Sequence, residues 1–190
     1  MAEGNVQPLY LIVLDPSLNR TGWAVFSIAA KPKLINYGYI DNNHFETERI
    51  GNKVIHLEMA IQTLKFAYFP AVVIKEAWVP PQGSPKYGIP KTTADTAYKL
   101  ATIHGTAAKV FNQHDIAEIN NKTFKKGFTG NGNAEKEEVE RWVQMYRTRV
   151  WSPTRPLVIR TDDESDAIGL GIYWLILNGK LKKLEEEKKK

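Results

Sequence analysis

Residues 9–28 read LYLIVLDPSLNRTGWAVFSI, and the order of signals in them decides the architecture. Leu9 to Leu14 is a continuous apolar run that stops at Asp15-Pro16. An unbroken run closed by a turn signal reads as a strand buried on both faces, at the centre of a sheet. Gly22 to Ile28, and then Leu34 to Ile40, are rich in β-formers and alternate. They read as two further strands joined to the first by short turns.

Beyond these strands the signals change period. Thr47 to Tyr68 reads as a helix with an apolar face of Ile50, Val54, Leu57, Met59, Ile61 and Leu64, punctuated by Pro70. Ala71 to Glu76 (AVVIKE) is a short buried strand, and Trp78 to Pro90, with four prolines and two glycines, a surface loop. Thr92 or Thr93 suits the cap of a helix reaching Asn112. Ile116 to Ile119 reads as a fifth strand, Asn121 to Gly127 as a short helix, and Phe128 to Asn133 (FTGNGN) as a glycine-bearing turn. Ala134 to Arg147 is a helix, Trp151 to Ile159 a proline-containing connection, and Asp163 the start of a last helix running into the C-terminal tail. Three meandering strands followed by helix-linked strands predict a mixed sheet with helices packed on it. Right-handed crossovers make the helix-linked strands parallel to the first. The expected fold is α/β and ribonuclease H-like: a five-stranded mixed sheet of order 3-2-1-4-5 flanked by helices, one domain over 1–179 and a charged tail over 180–190.

Composition narrows the function. With 190 residues the chain can bury a core without staples. It has no cysteine, which excludes disulfide scaffolds, thiolate zinc sites and cysteine nucleophiles. The early apolar run is too short to span a bilayer and the N-terminus lacks a signal-like pattern, so a soluble, cytoplasmic protein is expected. The net charge of +5 hints at nucleic acid, but the final KLKKLEEEKKK, with six lysines and three glutamates, supplies +3 of it. Such a run reads first as a solvated helix end, not a binding device.

Four carboxylates stand where the topology would gather them. Asp15 ends the first strand and Glu76 the fourth, so parallel neighbours would present both at one sheet edge. Asp163 and Asp166, three apart, share one face of the last helix. Each has an ordinary reading: a turn residue, an exposed strand end, a helix cap, a first-turn charge favoured by the helix dipole. Together they repel one another unless cations neutralise them, and hard divalent ions take oxygen ligands of this kind. A pair of such ions would suit phosphodiester hydrolysis.

The residues then match a family. LDPSLNRTGWAVF resembles the first motif of RuvC-type Holliday junction resolvases, a strand followed by D-P-G-S-x-x-T-G. DTAYKLATIHGTAA is similar to that family's A-x-K-L-x-x-x-x-G helix, and FKKGFTGNGNAEKEEVERWV to its V-K-x-x-x-x-G-x-G-x-A-x-K segment. TDDESDAIGLG resembles D-A-A-D-A-L-A. The matches run from Leu11 to about Trp174. The resemblance implies metal-ligand roles for Asp15, Glu76, Asp163 and Asp166, with Mg²⁺ as cofactor, two ions, and Mn²⁺ as a substitute. It implies phosphate or transition-state contacts for Lys125 and Lys136, with Lys126 beside them on the DNA-binding surface; a solvated helix face is the plain alternative. Gly130 and Gly132 permit a tight turn. The chain departs from the pattern at Ser17, Leu18, Asn19 and Arg20, and this with its short length and lysine tail looks more like phage members. The family's wedge aromatic would fall at Val79, so Trp78 or Tyr87 is the candidate stacking residue; loop packing is the alternative for both.

The implied activity is a metal-dependent, structure-selective endodeoxyribonuclease that binds four-way and other branched DNA as a homodimer. It would nick symmetrically related strands, leaving 5′-phosphate and 3′-hydroxyl ends in the cytoplasm of a bacterium or a phage-infected host. The sequence does not name a branch-migration motor. Three rivals stand beside it: a same-fold nuclease acting on forks, Y-branches or RNA–DNA hybrids; a non-catalytic junction-binding module; and an ATPase or sugar kinase of the actin-like fold. The last needs a second domain for which 190 residues leave no room.

Overall fold

Leu9–Asp15 (β1), Arg20–Ile28 (β2) and Lys33–Asp41 (β3) form an antiparallel meander, as the alternation predicts. The computed structural model describes residues 9–46, 50–79, 93–152 and 155–184. Ile50–Tyr68 (α1) returns the chain to Val72–Glu76 (β4), which pairs parallel to β1, and Ala94–Val110 (α2) leads to Ile116–Ile119 (β5), parallel to β4. Asn121–Thr129 (α3), Lys136–Val150 (α4) and Asp162–Leu177 (α5) complete the chain. The strand order is β3-β2-β1-β4-β5, the expected one.

Side chains alternate across the pleat, so the sheet carries two cores. Leu11, Val13, Phe26 and Ile74 pack with α3, α4 and α5, whereas Ile12, Leu14, Val25 and Val73 pack with Leu57, Ile61, Ile103 and Ala107 of α1 and α2. Leu11 through Leu14 are 0% exposed. Burial of such a side chain stabilises by about 1.5–3 kcal/mol, so the end of β1 is held from both faces. The same alternation aims the residues at the strand ends: Asp15 continues the α5-facing set, as does Glu76, while Lys75 faces α2.

Several boundaries differ from the sequence reading. Met59 is 63% exposed and does not belong to the apolar face of α1; two residues from both Leu57 and Ile61, it lies about 200° round the helix from each. Thr93, not Thr92, caps α2, and Thr92 lies outside the described residues. The short helix α3 runs two residues past Gly127 to Thr129 and stops at left-handed Gly130 (φ 88°). The last helix begins at Asp162 under a Thr161–Glu164 capping box, so neither Asp162 nor Asp163 is its cap. It also ends before the tail. Lys180 N donates to Leu175 O and Gly179 N to Ile176 O, around Gly179 at φ 65°. That reversal satisfies the last carbonyls and sends the chain back over α4, where Leu184 N donates to the Tyr146 hydroxyl at 2.7 Å.

Two features set the geometry near the acids. Gly22 on β2 lies so close to the α5 N-terminus that a Cβ there would overlap the Asp163 carbonyl. Behind the turn after Asp15, buried Lys53 donates to Asn19 Oδ1 at 2.7 Å, and Asn42 N donates to Asn19 O at 2.8 Å. The turn is therefore pinned from beneath.

Candidate active site

The sheet brings Asp15 and Glu76 together because β1 and β4 are parallel neighbours in register, Leu14 opposite Lys75 one residue earlier. Asp15 lies within hydrogen-bond reach of Glu76. Helix α5 crosses β1 and β2 with its N-terminus over this edge, which adds Asp163 and Asp166. Burial lifts Asp15 well above the usual carboxylate range, and the charges of Glu76, Asp166 and Asp163 push the same way. Burial pushes Asp166 up to about 6, against the pull of Lys125 and Lys136. Asp163 is raised by burial, against Arg20 and Lys136. All four acids thus share one electrostatic neighbourhood.

Both expected lysines approach it. Lys125 Nζ donates to Ala134 O at 2.9 Å, which anchors it beside Asp166. Lys136 Nζ donates to Asp162 Oδ2 at 2.7 Å, and its charge reaches Asp163 and Asp166. Lys126 is exposed on α3. Gly130 makes the left-handed cap of α3, whereas Gly132 has ordinary backbone. Trp78 lines the cleft above the acids, while Tyr87 lies outside the described residues. The cleft has a volume of about 740 Å³ and is bordered by Asp15, Glu76 and Asp166 together with Trp78, Leu100 and His104.

The donor set is all oxygen and carries an orphan: Asp166 Oδ1 is buried with no hydrogen-bond partner among the described residues. A buried carboxylate oxygen without a donor is costly, and a hard divalent cation is the group that oxygen-only, mutually repelling ligands fit. Among the described residues no three acidic or histidine side chains stand ready-spaced around an ion.

Three groups escaped the sequence reading. Arg20 stacks over Tyr39, 5.2 Å from the ring centroid, with Nη1 3.8 Å from Asp163 Oδ2. Its place directly after the Asp15 turn was the available signal. Asn121 Nδ2 donates to Glu76 Oε2 at 2.9 Å; nothing in the sequence marks it, because the contact joins residues 45 apart. Lys75, nearly buried, holds Glu118 Oε1 at 2.8 Å and lies 3.4 Å from His104 Nδ1. Burial, and then the Lys75 charge, lowers the His104 pKa to about 4.

A family profile described as crossover junction endodeoxyribonuclease RuvC matches residues 11–173. The crossover junction endodeoxyribonuclease RuvC of Ehrlichia canis is 33% identical over 134 residues, 70% of this chain and 80% of that protein. Among solved structures, T. thermophilus RuvC in complex with a Holliday junction substrate superposes with a TM-score of 0.68 at 17% identity, covering 93% of this chain and 99% of that one. The fowlpox virus Holliday junction resolvase gives 0.56 at 14% identity, covering 90% and 99%. The last two share the fold.

Proposed function

This chain belongs to the RuvC family of crossover junction endodeoxyribonucleases, and on that premise we propose that it resolves four-way DNA junctions by hydrolysing one phosphodiester in each of two symmetry-related strands. The observation that carries the reading is the convergence of Asp15, Glu76 and Asp166, with Asp163 in the same electrostatic neighbourhood, from three separate elements on one cleft beside which Lys125 and Lys136 act.

In this reading the four acids hold divalent cations, Mg²⁺ in the cell and two in number, with Mn²⁺ as a substitute. When bound, such ions lower the pKa of the attacking water and stabilise the departing 3′ oxygen. The chain's own groups supply the rest. Lys125 and Lys136 place positive charge beside the scissile phosphate, where charge builds in the transition state. Lys136 leaves Asp162 to do so, and that pair is half exposed, so the exchange costs little. Arg20 and Asn121 hold Asp163 and Glu76 in place. Trp78, on the cleft wall, offers a face for an unstacked base. Hydrolysis with departure of the 3′ oxygen leaves 5′-phosphate and 3′-hydroxyl ends.

A four-way junction has two-fold symmetry, so paired nicks call for a homodimer. The α1 side of the molecule leaves Ile55, Met59 and Phe66 exposed and α2 leaves Tyr98 exposed, which makes these helices the candidate contact surface. Branched DNA in the cytoplasm of a bacterium or phage-infected host is the proposed setting.

The test is cleavage of a labelled mobile four-way junction in Mg²⁺, Mn²⁺, Ca²⁺ or EDTA, with Glu76→Gln alongside. Symmetric nicks in Mg²⁺ and Mn²⁺, lost in EDTA and in the variant, support the reading. Cleavage that survives Glu76→Gln overturns the site assignment. Matched fork, Y-branch and RNA–DNA hybrid substrates separate junction preference from a broader one.

A further inference from the structure

The α2-facing side of the sheet is apolar along β1 and β4 except at one point. There Lys75 places its ammonium inside the protein, 3% exposed, between Glu118 and His104. A buried ion pair gains little over well-packed hydrophobic residues, so stability alone does not explain its presence one residue from Glu76. What the pair does explain is the state of His104.

An ammonium has three protons and no lone pair, so towards an imidazole it can only donate. His104 Nδ1 therefore accepts from Lys75, and the single proton of the neutral ring sits on Nε2. The ring stays neutral because burial and the Lys75 charge both oppose a second proton. Nε2 has no hydrogen-bond partner among the described residues, yet the residue is 9% exposed and borders the cleft shared with Asp15, Glu76 and Asp166. With Nδ1 engaged by Lys75, Nε2–H is the neutral donor that this cleft-lining residue has left to offer.

We propose that His104 is a DNA-contacting residue whose Nε2–H donates a hydrogen bond to an acceptor atom of the nucleotide next to the scissile phosphate, with Lys75 as the positioning residue that fixes its tautomer. The inference rests on the junction-cleaving reading above. Charge distinguishes this contact from those of the lysines. Glu118 neutralises Lys75, and His104 is uncharged, so the contact orients the strand without displacing counterions. A strand offers two sources of acceptor, a base edge or a phosphate or sugar oxygen, and the substrate set separates them.

The experiment compares wild type with His104→Ala, His104→Gln and His104→Asn on four-way junctions carrying each base beside the cut, measuring kcat/KM in Mg²⁺ and binding in Ca²⁺ across a salt series. The amide nitrogen of Gln reaches the Nε2 position and that of Asn the Nδ1 position. The alanine variant is expected to lose about three- to tenfold, the worth of one neutral hydrogen bond. Gln should recover most of this and Asn little, with the salt slope unchanged in all three. A loss that depends on the neighbouring base assigns a base edge, and a uniform loss assigns a backbone oxygen. Long-range ¹H–¹⁵N spectra of the wild type should place the ring proton on Nε2, and Lys75→Met should release that preference. Alanine equal to wild type, Gln no better than alanine, or a ring proton on Nδ1 overturns the proposal. Wild type that cleaves no junction in any ion overturns the functional reading itself, and this inference with it.

Discussion

Asp166 carries the most testable chemistry of any single residue. Its folded-state pKa, up to about 6 against an ordinary 3.8, means that the folded protein binds this proton more tightly than the unfolded chain. Stability therefore falls as pH rises from about 4 through 6. Asp15, raised in the same direction, widens the effect. In EDTA, Asp166→Asn should melt a few degrees higher than wild type at pH 7 and show a flatter melting-temperature profile between pH 4.5 and 7.5. Added Mg²⁺ should raise the wild-type melting temperature at pH 7, because an ion bound only by the folded state stabilises it. A variant that melts lower than wild type at pH 7 would contradict the burial assigned to this carboxyl. Asn121 offers a second case. Its amide donates to Glu76 Oε2, so Asn121→Ala should lower cleavage about three- to tenfold. Asn121→Asp should lower it further by setting a like charge against Glu76. Calorimetric titration with Mn²⁺ should show the same ranking in metal affinity.

At the scale of elements, the N-terminus of α5 decides where two of the four acids stand. The Thr161–Glu164 capping box fixes its first turn, and Gly22 sets how closely it approaches β2. Thr161→Ala should cost about 1 kcal/mol of stability, the usual value of a lost cap, read by urea melts. Gly22→Ala is expected to do more: the added methyl must push the Asp163 backbone away, which costs about 1–3 kcal/mol as overpacking and displaces Asp163 from Asp166's neighbours. It should reduce cleavage more than its loss of stability explains, whereas Thr161→Ala should not. The elements also show where sequence periodicity stops being informative. The end of α5 at Leu177 is set by Gly179 in a left-handed turn, a stop signal that the sequence reading passed over when it ran the helix into the tail. That the adjoining segment folds back on Tyr146 was not legible, because a contact between positions 146 and 184 leaves no local pattern.

At the scale of the molecule, charge is distributed against its raw count. The tail supplies +3 of the +5, while the body sets Arg20, Lys125 and Lys136 around the acids and leaves Lys126 exposed on α3. With divalent ions bound, that region becomes strongly positive. Junction binding in Ca²⁺ should therefore weaken steeply with salt, and Lys126→Ala should lower the log–log slope by about one, while removal of the net-neutral residues 185–190 changes it less. A flat salt response would count against a phosphate-tracking surface. Sedimentation without DNA should give a species of twice the 21.6 kDa chain mass, and with junction DNA that mass plus one junction.

The sequence alone determined the strand order and the placing of the acids. An unbroken buried strand ending in Asp-Pro, a meander, and two helix-linked strands leave one sensible topology, and that topology carries Asp15 and Glu76 to one edge. These are local signals, since period, turn residues and caps act within a few positions. Tertiary structure alone decided the second set of contacts: Arg20 over Tyr39 and towards Asp163, Asn121 on Glu76, Lys75 beneath His104, and the burial that raises Asp15 beside Glu76. Each joins residues far apart in the chain, and each depends on side-chain direction and burial, quantities that exist only once the sheet and helices have closed on one another.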